Sequence, residues 1–291
     1  KKLIDETDMT MADICFAAGF SSVRRFNAVF QQTYKRPPLS LRKQRSSSST
    51  DSPDGIQIRL SYRPPFDWRA MLSYLATRAI PGVEKVETNT YSRSIEIDGS
   101  AGEFRIEFLP DTHAALLSIY CAQTRNLYQI VERVRIMFDL KAVSTDIESF
   151  LDKDPLLHDL IAKHPGIRVP VAWDGFEVGV RAVLGQQVSV KGATTLVSRL
   201  ATRCGSPYQK SNCPDLNYIF PSPEQVITSS LDGLGITTRR IDAIKAMAVA
   251  VVEGTLCFDG SMSSDEFVER STQISGIGPW TAQYIALRAL N

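Results

Sequence analysis

The residues most able to do chemistry lie near the end of the chain, in Ile274-Ser275-Gly276-Ile277-Gly278-Pro279-Trp280-Thr281-Ala282. Two glycines flank one apolar residue, and a proline opens the helix that follows. Proline costs nothing at a first helical position, because its missing N–H would have no partner there. Gly276 and Gly278 let an anion approach the backbone, so Ser275, Gly276, Gly278 and Thr281 form a candidate phosphate-binding set at the turn and helix start. The plain alternative is a turn without a ligand. Trp280 and Tyr284 stand at i, i+4 and share a helix face. Two electron-rich rings on one face suit a cationic planar group, a contact worth ~0.5–2 kcal/mol. The alternative for them is a pair of core aromatics.

A second set of candidate residues lies at the other end. Residues 1–50 carry nine Lys/Arg against four Asp/Glu, a balance of +5, so the rest of a chain of net charge +1 carries −4. A basic segment suits a polyanion or is a solvated face. Thr10-Met11-Ala12-Asp13 fits a capping box before a short helix carrying Ile14 and Ala17. Gly19 supplies a turn, and Ser21-Ser22 can cap the next helix. Its Val23, Phe26 and Phe30 face inward, leaving Ser22, Arg24, Arg25, Asn27 and Gln31 outward. In a helix-turn-helix the second helix enters the major groove, where Arg grips guanine and Asn grips adenine. The alternative is a helical hairpin with a basic face.

These groups need elements to hold them. Residues 1–45 read as three helical pieces, and 46–55 as a Ser-rich linker with nothing to bury. Residues 56–143 alternate: period-2 runs at 56–60, 94–97, 103–108 and 114–120, helical runs at 67–79 and 126–138. That pattern predicts an antiparallel sheet with helices on one face. In 144–291 apolar residues recur at helical spacing through 176–188, 193–201, 241–252, 267–274 and 281–290, which predicts an all-helical unit.

Composition agrees with folded domains: 43% hydrophobic and 22% charged residues over 291 positions allow two or three of them. No apolar run approaches the ~18 residues of a membrane span, and no signal-peptide pattern is present. A cytoplasmic, nucleoid-associated protein with no membrane partner is expected. Five scattered cysteines and three histidines form no C-x-x-C or H-E-x-x-H, so neither a metal site nor a disulfide framework is expected.

Two resemblances sharpen this reading. The run through Gly19-Phe20-Ser21-Ser22, Phe26, Phe30 and Pro37-Pro38 resembles the second helix-turn-helix of AraC-type (Ada-like) regulators. That family carries two such motifs; the first is missing here, as is a Cys-rich methyl-acceptor domain, so DNA binding by this half alone should be weak. Residues 56–291 resemble the 3-methyladenine DNA glycosylase II (AlkA-like) family of the helix-hairpin-helix superfamily. Four passages carry that likeness: Pro64-Pro65-Phe66-Asp67-Trp68 with Met71-Leu72 and Leu75-Ala76; Asp174 through Gln186-Gln187-Val188-Ser189; the hairpin; and Gly278 through Tyr284 with Ala286-Leu287-Arg288. The implied fold class is multidomain α+β: an AraC-type helix-turn-helix, a TBP-like α+β domain with an antiparallel sheet, and an incomplete all-α helix-hairpin-helix glycosylase domain.

The resemblance implies excision of alkylated purines, chiefly 3-methyladenine, from double-stranded DNA by flipping the base out of the stack, which costs a few kcal/mol. Trp280, Tyr284 and Tyr74 are expected to line the base pocket, with Arg78 at its border. Gln187 falls where the family inserts a side chain into the emptied stack; a relative has leucine there, so the wedge here is polar. Gln186 is expected to position that loop. Bifunctional superfamily members carry a lysine nucleophile where Trp280 stands, so this protein should be monofunctional, using water and leaving an abasic site. No cofactor is required, although hairpin carbonyls are candidates for a monovalent cation bridging to phosphate. Promoter DNA is a second expected partner, and a monomer the expected state. Both ends look cut. By the family pattern the catalytic aspartate falls roughly ten residues past Asn291, one short loop beyond the last helix. Asp259, Asp265 and Glu266 precede the hairpin and offer no substitute, so the chain as written is not expected to catalyse, and the Ile285/Leu287/Leu290 surface should be partly uncovered. The rival reading is a binding protein, either an AraC-type transcription regulator or a lesion binder without chemistry.

Overall fold

The computed structural model describes residues 4, 10–42, 55–121, 126–209 and 211–290. The Ser-rich stretch lies outside them apart from Gly55. At the amino-terminal end, helices α1 (Met11–Ala17), α2 (Val23–Tyr34) and α3 (Pro38–Arg42) follow one another. Thr10 accepts from the Asp13 amide at the start of α1 and Ser22 from the Arg25 amide at the start of α2. Gly19 makes the turn between them at φ +79°. Phe26 and Phe30 are buried with Ile14 and Cys15, while Val23 is only half-buried.

The next unit is a five-stranded antiparallel sheet in the order β1-β5-β4-β3-β2, from β1 (Ile56–Ser61), β2 (Glu84–Val86), β3 (Thr90–Ile97), β4 (Ser100–Leu109) and β5 (Ala114–Cys121). Helices α4 (Trp68–Ala76) and α5 (Leu127–Met137) bring Trp68, Met71, Leu72, Ile130, Val131 and Val134 into the same core as Ile58, Phe104, Ile106 and Leu117 of the sheet. Alternation along each strand makes this possible, since every second side chain points to one face. Asp67 caps α4 by accepting from the Ala70 amide at 2.9 Å.

The third unit is helical but not wholly so. After α6 (Ser144–Leu151) and α7 (Pro155–Lys163) come α8 (Gly175–Leu184), α9 (Val190–Cys204), α10 (Pro223–Thr228), α11 (Thr238–Val252), α12 (Ser264–Thr272) and α13 (Pro279–Ala289). Between α9 and α10 stands a short antiparallel pair, β6 (Ser206–Pro207) with β7 (Tyr218–Ile219). This corrects the all-helical expectation: two-residue strands are too short to leave a periodic signal. Nearly every residue of α8 is buried, and α9, α11 and α13 pack around it. The helix expected over 176–188 stops at Leu184, and the loop that follows carries Gln187 at φ +56°. Ile285, expected near an uncovered surface, is buried against this core, whereas Leu287 is exposed.

The seam between sheet and helices is closed by polar contacts. The Gly82 carbonyl accepts from the amides of Asn217 and Tyr218, and Glu103 accepts from the Asn212 amide at 2.8 Å. Among the described residues no helix is long and apolar enough to cross a membrane.

Candidate nucleic-acid interface

The hairpin joins α12 to α13 through Gln273–Gly278. Gly276 adopts φ +94°, and a Cβ there would stand 2.9 Å from the Ala243 Cβ of α11. Its glycine is therefore demanded by the turn and by helix packing. Gly278 does open space, with nothing within 4 Å of an added Cβ. It is the N-cap of α13 and no side chain caps that helix. The amides of Gly278, Trp280 and Thr281 thus remain without an intrahelical acceptor, as the first amides of any helix do. The Thr281 side chain is buried, with its hydroxyl 3.3 Å from Gln186 Nε2, which leaves the backbone N–H of Thr281 at the helix start. Ser275 is exposed at the turn.

Gln186 is a strut. Its Nε2 donates to the Gly276 carbonyl at 2.8 Å, and its own carbonyl accepts from the Arg240 guanidinium of α11. The loop after α8 and the hairpin are thereby held in fixed relation. Gln187, Val188 and Ser189 project exposed from that loop.

Trp280 and Tyr284 stack with ring centroids 5.6 Å apart and planes 9° from parallel. Trp280 is 73% exposed. It therefore stands outside the enclosed cavity, which Tyr284 and Tyr74 do line, together with Arg78, Arg288, Glu84, Arg93, Glu177 and Arg181. The three aromatics expected in one pocket divide into an outer platform and an inner wall. Tyr74 lies between two guanidinium groups, Arg78 at 3.9 Å and Arg288 at 4.9 Å from its ring centre. Burial, followed by the nearness of Tyr284, raises its pKa. Arg288 is fixed in turn by donating to the Pro170 carbonyl at 2.7 Å.

One wall of the cavity is a buried charge network that sequence reasoning missed. Arg93 of β3 donates to Glu177 of α8 at 2.7 Å, and Glu84 sits within 3.7 Å of Arg93 and 3.9 Å of Arg181. Tyr91 donates to Glu84 at 2.5 Å, and Arg181 donates to the Arg78 carbonyl at 2.6 Å. Burial pushes the Glu177 pKa up although Arg93 opposes it. Glu177 and Arg181 at i, i+4 inside an otherwise apolar helix were the available signal, since buried charges are almost always paired. The carboxylates that line the cavity, Glu84 and Glu177, are both committed to this network.

At the amino-terminal end, Ser22, Arg24, Arg25 and Asn27 are all exposed at the start of α2. Ser22 is engaged in capping, and its hydroxyl accepts from the Arg25 amide at 3.2 Å.

Comparison with known proteins accords with this arrangement. Residues 57–174 match the model of the AlkA N-terminal domain. A Mycobacterium tuberculosis protein named "Probable bifunctional transcriptional activator/DNA repair enzyme AlkA" is 33% identical over 291 residues, covering 99% of this chain and 58% of its own length. The chain thus spans somewhat more than half of that relative. Escherichia coli DNA-3-methyladenine glycosylase 2 is 33% identical over 237 residues, 79% of either protein. A 3-methyladenine DNA-glycosylase from Archaeoglobus fulgidus has the same fold, with a TM-score of 0.69 at 21% identity over 79% of both chains. With a stacked aromatic pair on a hairpin helix that no side chain caps, and a relative of this identity covered over 79% of its length, the chain belongs to the AlkA family of DNA-3-methyladenine glycosylases.

Proposed function

We propose that this chain forms the damage-recognition body of a monofunctional glycosylase that removes alkylated purines, 3-methyladenine among them, from duplex DNA. The observation that carries the reading is the bare outer face of Trp280, held parallel to Tyr284 at the mouth of the cavity. A flipped, electron-poor base laid on that face gains stacking of ~1–3 kcal/mol, enough to offset much of the cost of extrusion. The free amides at Gly278, Trp280 and Thr281 suit the phosphate beside it. Gln187 is the wedge, and Gln186 holds it at a set distance from the hairpin. A monovalent cation on the hairpin carbonyls is compatible with the Gln186 contact, because Gly276 O keeps a second lone pair.

A second activity is favoured by one observation: Arg24, Arg25 and Asn27 are presented together, exposed, at the start of a capped helix. We read this AraC-type module as a sequence-specific arm for promoter DNA, in keeping with the activator named in the Mycobacterium relative.

Binding is the first readout, since it depends on residues 1–291 alone. Duplexes carrying an alkylated purine or an abasic site should bind more tightly than the same intact duplex. Excision, where it occurs, should leave an abasic site and no borohydride-trapped adduct. Preference for one undamaged sequence, with no preference for damage, would leave only the regulator.

A further inference from the structure

One groove takes no part in the site described above. It lies between the end of α4 and the outer face of α9, open to solvent, with a volume of ≈ 660 Å³. Thr77 and Pro81 form one wall. The other is a strip of α9 in which Lys191, Thr195 and Arg199, at i, i+4 and i+8, share one helix face, with Val190 beside it at the helix start. Two cations and several hydroxyls line the groove, and no carboxylate does. Lys191 and Arg199 are exposed, and Arg199 is steadied by donating to the Leu234 carbonyl at 3.0 Å. The groove starts one residue after Ser189, the cap of α9, and so continues directly from the wedge loop.

We propose that this groove takes the sugar–phosphate backbone of the undamaged strand. The inference rests on the glycosylase reading. A duplex entered at Gln187 has one strand on each side of the loop. On one side Gln186 binds the Gly276 carbonyl, so the hairpin amides lie there and hold the damaged strand. From the same loop, directly after Ser189, α9 departs with the groove along it. From Lys191 to Arg199 the helix rises ~12 Å at ~1.5 Å per residue. That matches three to four base steps at ~3.4 Å each. The apolar side chains of Val190 and Pro81 suit deoxyribose, while the cations and hydroxyls suit phosphate oxygens.

The test compares the wild-type chain, Lys191→Gln and Lys191→Gln/Arg199→Gln for binding to a duplex with a single abasic site as salt is varied. The slope of log affinity against log salt should fall by ~0.9 for the single variant and about 2 for the double. Affinity for the abasic single strand should be unchanged. Because Arg199 also contacts the fold, a second measurement alters only the DNA. Neutral methylphosphonates on the undamaged strand opposite the abasic site should weaken wild-type binding and leave the double variant unaffected. Unchanged slopes, or the same pattern from neutral linkages on the damaged strand, overturn the groove assignment while abasic preference persists. If the wild-type chain shows no abasic preference at all, the glycosylase reading falls and takes this proposal with it.

Discussion

Trp280 joins two properties that a core aromatic does not have: most of its surface is in water, and its inner face is already stacked. Replacing it should therefore leave the fold intact and remove the platform. Trp280→Ala is expected to cost ~1–3 kcal/mol of binding to a duplex bearing an alkylated purine. Its affinity for intact duplex and its thermal midpoint should stay near wild type; fluorescence anisotropy and a melting curve separate the two. Tyr74 is different. Its ring is flanked by Arg78 and Arg288, so it shapes the inner wall through charges already in place rather than offering a bare face.

At the scale of elements, the hairpin glycines have separate duties. Gly276→Ala meets both a left-handed backbone and the Ala243 Cβ at 2.9 Å, and should destabilise by about 1–3 kcal/mol, read as a lower urea midpoint. Gly278→Ala meets nothing, and should keep stability while weakening DNA binding at the helix start. The sequence made the hairpin, its aromatic pair and the Gln186–Gln187 loop legible, because those motifs are contiguous. The strands around 94–120 were legible through their alternation. Missed were β2 and the β6–β7 pair, which are too short to alternate, and α6 and α7, whose apolar residues recur at helical spacing (Ile147, Phe150 and Leu151; Leu157, Leu160 and Ile161) over runs of only eight and nine residues. The inward turn of the Thr281 hydroxyl and the strut from Gln186 depend on residues about ninety positions apart, and no local pattern reports such a distance.

At the scale of the whole molecule, sheet and helices are joined by the Arg93–Glu177 pair, which spans 84 positions of sequence. Removing Glu177 leaves the buried Arg93 to the longer ion pair with Glu84 at 3.7 Å. Glu177→Ala is expected to cost about 3–5 kcal/mol, while a paired apolar replacement of Arg93 and Glu177 should recover much of that, as a double-mutant cycle in urea would show. The two surfaces proposed to bind DNA should also behave as separate units. Arg24→Ala should weaken binding to a specific undamaged sequence by ~1–3 kcal/mol and leave lesion binding almost untouched. Equal losses in both assays would mean that a single surface serves both.

Of the three tryptophans, Trp68 is 2% exposed and Trp173 7%, so Trp280 is the one left to solvent. That gives the protein a built-in optical probe. The long-wavelength edge of its emission belongs to Trp280, and a soluble quencher such as acrylamide reaches that indole first. Titration with DNA can then be followed without a label: a base laid against the ring should darken the red edge and shield it from the quencher, whereas a duplex held only by the helix-turn-helix should leave the spectrum as it was.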